Sequence, residues 1–180
     1  INRFISNIFG MTRLEEGIVQ PRLQWITPAE IVESAAERLK SRRPPFQVDV
    51  EIRTGDAVVY ADPILLEQSL TNILDNAAVH AIGASCVVIR AETSGPDIRF
   101  SVIDDGPGID PAHTQRIFDK FYRLDSIAPS NKGSGLGLAI ARGFVEAMNG
   151  RIEAASADPN SRGLSVSIYL PGKSIEAMPA

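Results

Sequence analysis

Four polar side chains, spaced four residues apart, form one stripe on a predicted helix that begins at Pro63. They are Gln68, Asn72, Asn76 and His80. Asparagine is a weak helix former because its side chain competes for backbone hydrogen bonds, so two asparagines one turn apart need an explanation. One explanation is a solvated helix face. The other is a pair of carboxamide oxygens directed at a hydrated cation such as Mg²⁺, which needs only one or two protein oxygens when phosphates supply the rest.

Three glycines at alternate positions, Gly133, Gly135 and Gly137, stand immediately before a second predicted helix. Glycine lets a backbone approach a ligand closely, and a helix N-terminus presents N–H groups and a positive dipole end to an anion. We therefore expect a phosphate cradle here. Two common phosphate motifs do not fit. The third glycine is one position early for the dinucleotide fingerprint, and Ser167 stands where a Walker A loop ending at residues 172–174 needs glycine.

A glycine turn after a predicted strand offers a further polar group. The sequence DDGPG places Asp104 and Asp105 at the strand end, directly before Gly106 and Gly108. Aspartate, glycine and proline are common in tight loops, so an ordinary turn is one interpretation. A carboxylate fixed at a strand end can also accept a hydrogen bond from an exocyclic amine such as that of adenine.

Two phenylalanines, Phe118 and Phe121, precede Arg123 in the segment IFDKFYR. We expect both rings to be core aromatics that anchor a loop. The long stretch that follows, up to Lys132, then forms a mobile lid. Arg123 and Lys132 are candidate phosphate contacts because cationic side chains bind phosphate strongly.

Six segments have the composition of strands. They are FQVDVEIR, AVVYAD, CVVIRAE, DIRFSVID, RIEAAS and LSVSIYL. We expect the first two to pair across a turn at residues 55–56, and the next two across residues 94–96.

Helices separate these pairs. One begins at Pro28, another at Pro63 with Asp62 as its N-cap, and a third follows Gly137 and has Gly150 as its C-cap. Strand pairs with helices between them predict an α+β, two-layer sandwich in which one mixed, mostly antiparallel sheet carries its helices on one face.

The first residues also have a helical pattern, with Ile1, Phe4, Ile8 and Met11 at alternating spacings of three and four. Two interpretations stay open: a helix packed on its own domain, or the end of a long helix from a dimeric coiled coil. The chain starts at Ile1, so we interpret it as a piece of a longer protein.

Composition excludes several classes of protein. The chain has 180 residues and a net charge of −4, which gives no support for a nucleic-acid partner. Its single cysteine, Cys86, cannot form an internal disulfide, which indicates a cytosolic, reducing setting. No apolar run approaches the ~20 residues that span a bilayer, and no signal peptide is visible.

In this order and at these separations, the four segments resemble the N, G1, F and G2 boxes of sensor histidine kinases. Their ATP-binding domain has the Bergerat fold shared with DNA gyrase and the Hsp90 chaperones. The opening MTRLEEGIVQPRLQW is similar to the potassium-responsive, Kdp-type sensor kinases. The resemblance implies four regions. They are the C-terminal end of a dimerisation and phosphoacceptor helix (1–17), a linker (18–27), a catalytic ATP-binding domain (28–172) and a tail (173–180).

The resemblance also implies roles for individual residues. Asn76 matches the asparagine that coordinates Mg²⁺, and Asp104 the aspartate that binds adenine. Asn72 stands where gyrase-type ATPases carry a glutamate that activates water, a proton transfer that an amide cannot perform. With Arg123, these asparagines are the implied catalytic residues. The implied ATP-binding residues are Asn72, Asn76, His80, Asp104, Gly106, Gly108, Ile109, Tyr122, Arg123, Lys132, Gly133, Ser134, Gly135, Leu136, Gly137 and Leu138.

Two features depart from the family pattern. Val79 and His80 stand where a cation and an aromatic are frequent, which removes one expected phosphate contact. Neither His80 nor His113 has the sequence context of a phosphoacceptor. The acceptor histidine is therefore expected upstream or on another chain.

The resemblance implies the catalytic ATP-binding domain of a bacterial two-component sensor histidine kinase. Such a domain binds Mg·ATP and donates the γ-phosphate to a histidine outside this chain, for relay to a response regulator. The implied full-length protein is a homodimer anchored in the inner membrane, with this domain in the cytoplasm. Two alternatives remain: a stand-alone ATPase, which Asn72 argues against, and a nucleotide-binding regulatory module, which only Val79 supports.

Overall fold

The computed structural model describes residues 2–42, 47–80, 86–123, 134–157 and 162–175. Within these ranges the chain forms four α-helices and seven strands. Two short 3-10 helices, Pro111–His113 and Arg116–Phe118, precede the α-helix that begins at Gly137. The α-helices and strands are α1 (Asn2–Glu15), β1 (Gln24–Ile26), α2 (Pro28–Arg42), β2 (Gln47–Arg53), β3 (Ala57–Ala61), α3 (Pro63–His80), β4 (Cys86–Ser94), β5 (Asp97–Asp104), α4 (Gly137–Ala147), β6 (Arg151–Ser156) and β7 (Leu164–Ser174).

The strands form one mixed sheet in the order β1-β3-β7-β5-β4-β2, with β6 paired to β7. Only β2 and β4 run parallel; the other described pairs are antiparallel. Helices α2, α3 and α4 pack together on this sheet, so the predicted two-layer α+β sandwich is confirmed. Among the described residues, no helix is both long and apolar enough to cross a membrane.

The core lies between the sheet and these helices. Alternate residues of β5, namely Ile98, Phe100 and Val102, are buried because successive strand side chains point to opposite faces. Leu66 and Leu70 of α3 are also fully buried, one helical turn apart. Each such side chain stabilises the fold by roughly 1.5–3 kcal/mol relative to an exposed position.

The predicted pairing of the first two strands is wrong, although both strands exist. A turn does form, since the Ala57 N–H donates to the Thr54 carbonyl at 3.0 Å and Gly55 has a φ of +56°. The two strands then diverge: β2 lies beside β4, while β3 lies between β1 and β7. Side chains across the β2–β4 pair support this choice, because Arg90 Nε lies 2.7 Å from Glu51 Oε2. The predicted hairpin of β4 and β5 is confirmed.

The end of α4 also differs from its prediction. Met148 is the C-cap, and Asn149 rather than Gly150 adopts the left-handed conformation, with a φ of +60°. Gly150 is needed for a different reason. A Cβ there would lie 2.6 Å from both the Tyr169 carbonyl oxygen and the Leu170 side chain, so the chain can enter β6 only without a side chain at this position.

The segment expected as a linker contributes a strand. Gln24–Ile26 pairs with β3, where Trp25 stacks on Tyr60 at 4.9 Å and Lys173 lies 4.2 Å above the Trp25 ring. At the other end of the chain, β7 continues through Ser174, two residues beyond the expected end of the domain. The short β1 is thus the edge strand beside β3, and the last residues of β7 pair with β3 on its other side.

Helix α1 has features of both interpretations left open by its sequence. Met11 is buried, and a Cβ on Gly10 would lie 3.4 Å from Ile140 of α4. Ile8 and Phe9 are exposed. One side of α1 therefore packs on its own chain, while apolar residues on another side face solvent. Ile1 and the side chain of Phe4 lie outside the described residues.

Candidate nucleotide-binding site

The position of α3 is fixed at its N-terminus by Asp62. One carboxylate oxygen accepts hydrogen bonds from the N–H groups of Ile64 at 2.9 Å and Leu65 at 3.1 Å, which makes Asp62 the N-cap predicted from the sequence. The other oxygen accepts from the Arg22 N–H at 2.8 Å. A buried carboxylate therefore ties the segment before β1 to the helix that carries both asparagines.

Asn72 and Asn76 lie on successive turns of α3, and both are half-buried. Helix α3 packs against β5 and against α4. The start of α4 is close to the first asparagine, because a Cβ built on Gly137 would lie 4.0 Å from the Asn72 Cβ. Gln68 is exposed, and the side chain of His80 lies outside the described residues. Among the described side chains of the predicted stripe, the two asparagines are thus the half-buried ones.

Asp104 ends β5 and is 8% exposed. Its Oδ1 accepts hydrogen bonds from the N–H groups of Gly106 at 3.0 Å and Leu164 at 3.3 Å. Burial raises the pKa of this carboxyl group, while the two N–H donors lower it and the nearby Asp105 adds to the rise. Among the described residues both bonds use Oδ1, so Oδ2 can accept from an amine such as that of adenine.

Gly163 and Leu164 belong to this site and were missed by the sequence analysis. The Gly163 N–H donates to the Gly106 carbonyl at 2.8 Å. A Cβ at Gly163 would overlap the carbonyl oxygen of Asp104, and its φ is +69°. Antiparallel pairing of β5 with β7 brings this turn to the end of β5. The available signal was a glycine directly before the last strand.

The turn after Asp104 leads away from the sheet. Gly108 has a φ of +76°, a conformation that glycine adopts without strain, and Ile109 packs against the core while half-buried. The Asp110 carboxylate then accepts from the Ala112 N–H at 2.8 Å and starts the first 3-10 helix. The predicted glycine turn is therefore present, and Gly106 and Gly108 shape it.

The expectation that both phenylalanines lie in the core is wrong for one of them. Phe118 is 1% exposed, but Phe121 is 70% exposed and has a φ of +62°. A tight turn places it there, and its N–H donates to the Gly135 carbonyl at 3.0 Å. Gly135 has a φ of +68°, and a Cβ on it would lie 2.8 Å from the Phe121 Cα. The contact between Phe121 and Gly135 joins the described residues on either side of segment 124–133, which contains the predicted lid. We call this contact the lid base.

The predicted phosphate cradle is described from Ser134 onward. The Ser134 Oγ accepts from the Leu136 N–H at 3.3 Å. Leu136 and Leu138 are buried, so their contribution to a ligand site would come from the backbone. Helix α4 begins at Gly137, where the first N–H groups of a helix lack intrahelical acceptors and can bind an anion.

The remaining predicted residues flank the lid. Tyr122 is half-buried and Arg123 is exposed. Lys132 and Gly133 lie outside the described residues, as does the rest of segment 124–133. The structure thus describes the residues on either side of segment 124–133, while Lys132 and the rest of the predicted lid lie outside the described residues.

The donor set suits a cation held partly by a ligand's phosphates. In the part of the chain that the structure describes, no group of three His, Cys, Asp or Glu residues could hold a metal ion. Asn76 offers a neutral carboxamide oxygen, a donor that Mg²⁺ accepts alongside phosphate and water oxygens. The residues present therefore fit a magnesium–nucleotide complex.

Known proteins resemble this chain in sequence and in fold. The KdpD sensor protein of Clostridium acetobutylicum is 34% identical over 155 residues, covering 86% of this chain and 17% of the relative. The KdpD sensor protein of Mycobacterium tuberculosis is 35% identical over 175 residues, covering 94% and 20%. These matches confirm the resemblance to Kdp-type sensor kinases. The chain spans a fifth or less of the length of either relative.

A solved structure agrees with the sequence comparison. The mycobacterial sensor histidine kinase MprB superposes with a TM-score of 0.73 at 30% identity, covering 85% of this chain and 99% of that one. The family described as histidine kinase-, DNA gyrase B-, and HSP90-like ATPase matches residues 61–174, well over half of the 180. This chain therefore belongs to the family of histidine kinase-, DNA gyrase B- and HSP90-like ATPases.

Proposed function

We propose that this chain is the catalytic ATP-binding domain of a two-component sensor histidine kinase. The observation that carries the proposal is the buried Asp104 carboxylate, held by the N–H groups of Gly106 and Leu164. A desolvated carboxylate with a fixed orientation discriminates between an amine and a carbonyl at the same position of a purine ring. The site therefore selects adenine over guanine.

The phosphates extend from Asp104 toward the start of α4. Its N-terminal N–H groups, with Gly133, Gly135 and Gly137, bind them, and Arg123 and Lys132 contribute positive charge from the lid. Asn76 holds Mg²⁺, which when bound neutralises charge on the phosphate oxygens. His80 and Ile109 lie beside the nucleotide. The assignments of Asn76, Asp104 and the three glycines follow the family pattern at matching positions, whereas His80 departs from it.

Asn72 favours phosphate transfer over hydrolysis. An amide does not remove a proton from water at neutral pH, so this position lacks the base that a self-contained ATPase of this family uses. The γ-phosphate instead passes to an imidazole nitrogen of a histidine outside this chain, with ADP as the leaving group, and then to a response regulator. Positioning of the two reactants supplies most of the rate enhancement.

Residues 1–17 are the end of the dimerisation and phosphoacceptor helix in this proposal. The exposed side chains of Ile5, Ile8 and Phe9 on α1 support it, because they suit a helix that continues into a dimeric bundle. The full-length protein is then a homodimer, and this domain lies in the cytoplasm beneath a membrane anchor.

Calorimetric titration of the chain with Mg·ATP and Mg·GTP tests nucleotide binding. We expect binding of ATP and at least tenfold weaker binding of GTP. Asn76→Ala should remove the magnesium dependence of ATP binding. Gln68→Ala, on the exposed part of the same stripe, should leave it unchanged. A folded chain that gives no heat with either nucleotide would refute the proposal.

Phosphate transfer needs a second experiment. The chain is mixed with a separately produced phosphoacceptor domain of a Kdp-type kinase and γ-labelled ATP. Labelled phosphohistidine on that domain supports the kinase. Release of phosphate without any acceptor would indicate a stand-alone ATPase, and bound nucleotide with neither product would indicate a regulatory module.

A further inference from the structure

We propose that His113 is a positioning residue. It fixes Tyr122 and thereby directs Arg123, the next residue, toward the phosphates of the bound nucleotide. This inference rests on the proposed function, since it concerns the phosphate end of the same site. The family resemblance gives His113 no role as a phosphoacceptor or as a nucleotide contact. We therefore infer its role from the contacts that it makes in this structure.

The contact between the two side chains is short. The Tyr122 hydroxyl oxygen lies 2.6 Å from the His113 Nδ1, and the two groups share one hydrogen bond whose direction depends on the histidine tautomer. The Arg116 guanidinium lies 4.5 Å above the Tyr122 ring. The ring is therefore held at its hydroxyl by one 3-10 helix and over its face by the other.

Tyr122 is the last of four consecutive residues that each contact a residue distant in the chain. Asp119 lies 3.8 Å from Arg142 of α4, and Lys120 lies 2.7 Å from Glu15 of α1. Phe121 donates to the Gly135 carbonyl. With the bond between Tyr122 and His113, these contacts tie residues 119–122 to four separate positions of the chain.

These four contacts are unequal in strength. The two ion pairs join exposed side chains, which stabilise a structure little because water screens them. The bond between Tyr122 and His113 is partly buried and lies directly beside Arg123. Of these four contacts, it is therefore the side-chain contact nearest to Arg123 along the chain.

The proposal is tested by measuring two affinities of the 180-residue chain. Mg·ATP is titrated by calorimetry, and adenosine, which lacks the phosphates, by ligand-detected NMR. His113→Phe and Tyr122→Phe each remove one partner of the hydrogen bond and keep a ring in place. Each should lower the affinity for Mg·ATP roughly three- to tenfold, as expected for the loss of one hydrogen bond. The affinity for adenosine should change less than twofold.

Three controls separate positioning from general stability. The amide nitrogen of His113→Asn lies near the place of Nδ1, so this variant should recover the affinity for Mg·ATP to within twofold. The double variant of His113→Phe and Tyr122→Phe should be no weaker than the weaker single variant. In an Arg123→Ala background, His113→Phe should have no further effect.

An equal loss of affinity for adenosine and Mg·ATP would overturn the proposal, because a merely structural contact affects both. Unchanged affinity for Mg·ATP in both single variants would overturn it too. An undiminished loss of Mg·ATP affinity on adding His113→Phe to the Arg123→Ala variant would do the same. A wild-type chain that binds neither ligand would instead refute the proposed function, and this inference with it.

Discussion

The Gly163 N–H donates a hydrogen bond to the Gly106 carbonyl oxygen at 2.8 Å. This bond joins the turn after β5 to the turn before β7, and the N–H groups of Gly106 and of Leu164, the first residue of β7, donate to the Asp104 carboxylate. In the proposed site, the adenine end is therefore built from the sheet. The proposed phosphate end lies beside the lid base, where Phe121 meets Gly135.

Asp104→Asn should stabilise the empty chain and weaken its nucleotide selectivity. Asparagine keeps an acceptor for the N–H groups of Gly106 and Leu164 but carries no charge to desolvate. Its amide group donates where the carboxylate accepted, so the preference for Mg·ATP over Mg·GTP should fall by roughly tenfold or more. Calorimetry with both nucleotides measures this, and an unchanged preference would contradict the adenine-binding role.

The stability gain of Asp104→Asn should depend on pH. Burial raises the pKa of Asp104 above its ordinary 3.8, so folding favours the protonated form. The wild type therefore loses stability relative to the variant as the pH rises through the raised pKa. Below the ordinary pKa of 3.8, the free energies of unfolding of the two proteins converge. Thermal melting from roughly pH 3.5 to pH 8 measures the difference. A gain that grows toward low pH would contradict this account.

Gly163→Ala should be strongly destabilising. The new Cβ would overlap the backbone carbonyl of Asp104, which cannot move without disturbing β5, and φ at this position is +69°. We expect a loss of roughly 2–4 kcal/mol in the free energy of unfolding, from overpacking and left-handed strain together. Gly95→Ala is the matched control, since its φ is +60° with nothing within 4 Å. Gly95→Ala should lower the free energy of unfolding, measured by urea denaturation, by only about 1 kcal/mol. Equal losses for the two variants would rule out the overlap.

Gly135→Ala should act mainly on nucleotide binding. Its Cβ would lie 2.8 Å from the Phe121 Cα, so the two flanks of the lid must separate. We expect the affinity for Mg·ATP to fall about tenfold, which corresponds to about 1.4 kcal/mol. Gly55→Ala carries similar strain, with a φ of +56° in open space, and should leave that affinity unchanged. Similar affinities for the two variants in calorimetry would count against the lid base.

Asp62→Ala should destabilise the fold more than the loss of another helix cap does. It removes the acceptor for Ile64 and Leu65 at the start of α3 and for the Arg22 N–H. The loss of a cap together with an unpaired N–H should lower the free energy of unfolding by about 2–3 kcal/mol. Asp110→Ala, at the exposed cap of a three-residue helix, should lower it by less than about 1 kcal/mol. Urea titration distinguishes the two, and a smaller effect at position 62 would contradict the assigned contacts.

Local signals predicted the helices well. Pro28 and Pro63 begin α2 and α3 as expected, and Asp62 caps α3, because a helix start depends on groups within three or four residues of each other. The β4–β5 hairpin was predictable for the same reason, since one tight turn at Gly95 sets both its strands. The roles assigned to Asn72 and Asn76 in the site remain predictions.

The sequence by itself determined the alternating strands, the capped helices, the glycine turns and the family to which they belong. These depend on neighbours along the chain or on the order of motifs. Only the tertiary structure decided that β2 pairs with β4, that Gly163 closes over Asp104, and that Phe121 faces solvent. Each of these depends on contacts between residues far apart in the chain or on the path of one tight turn. Hydrophobic periodicity records which residues are buried, but it does not record which segments meet.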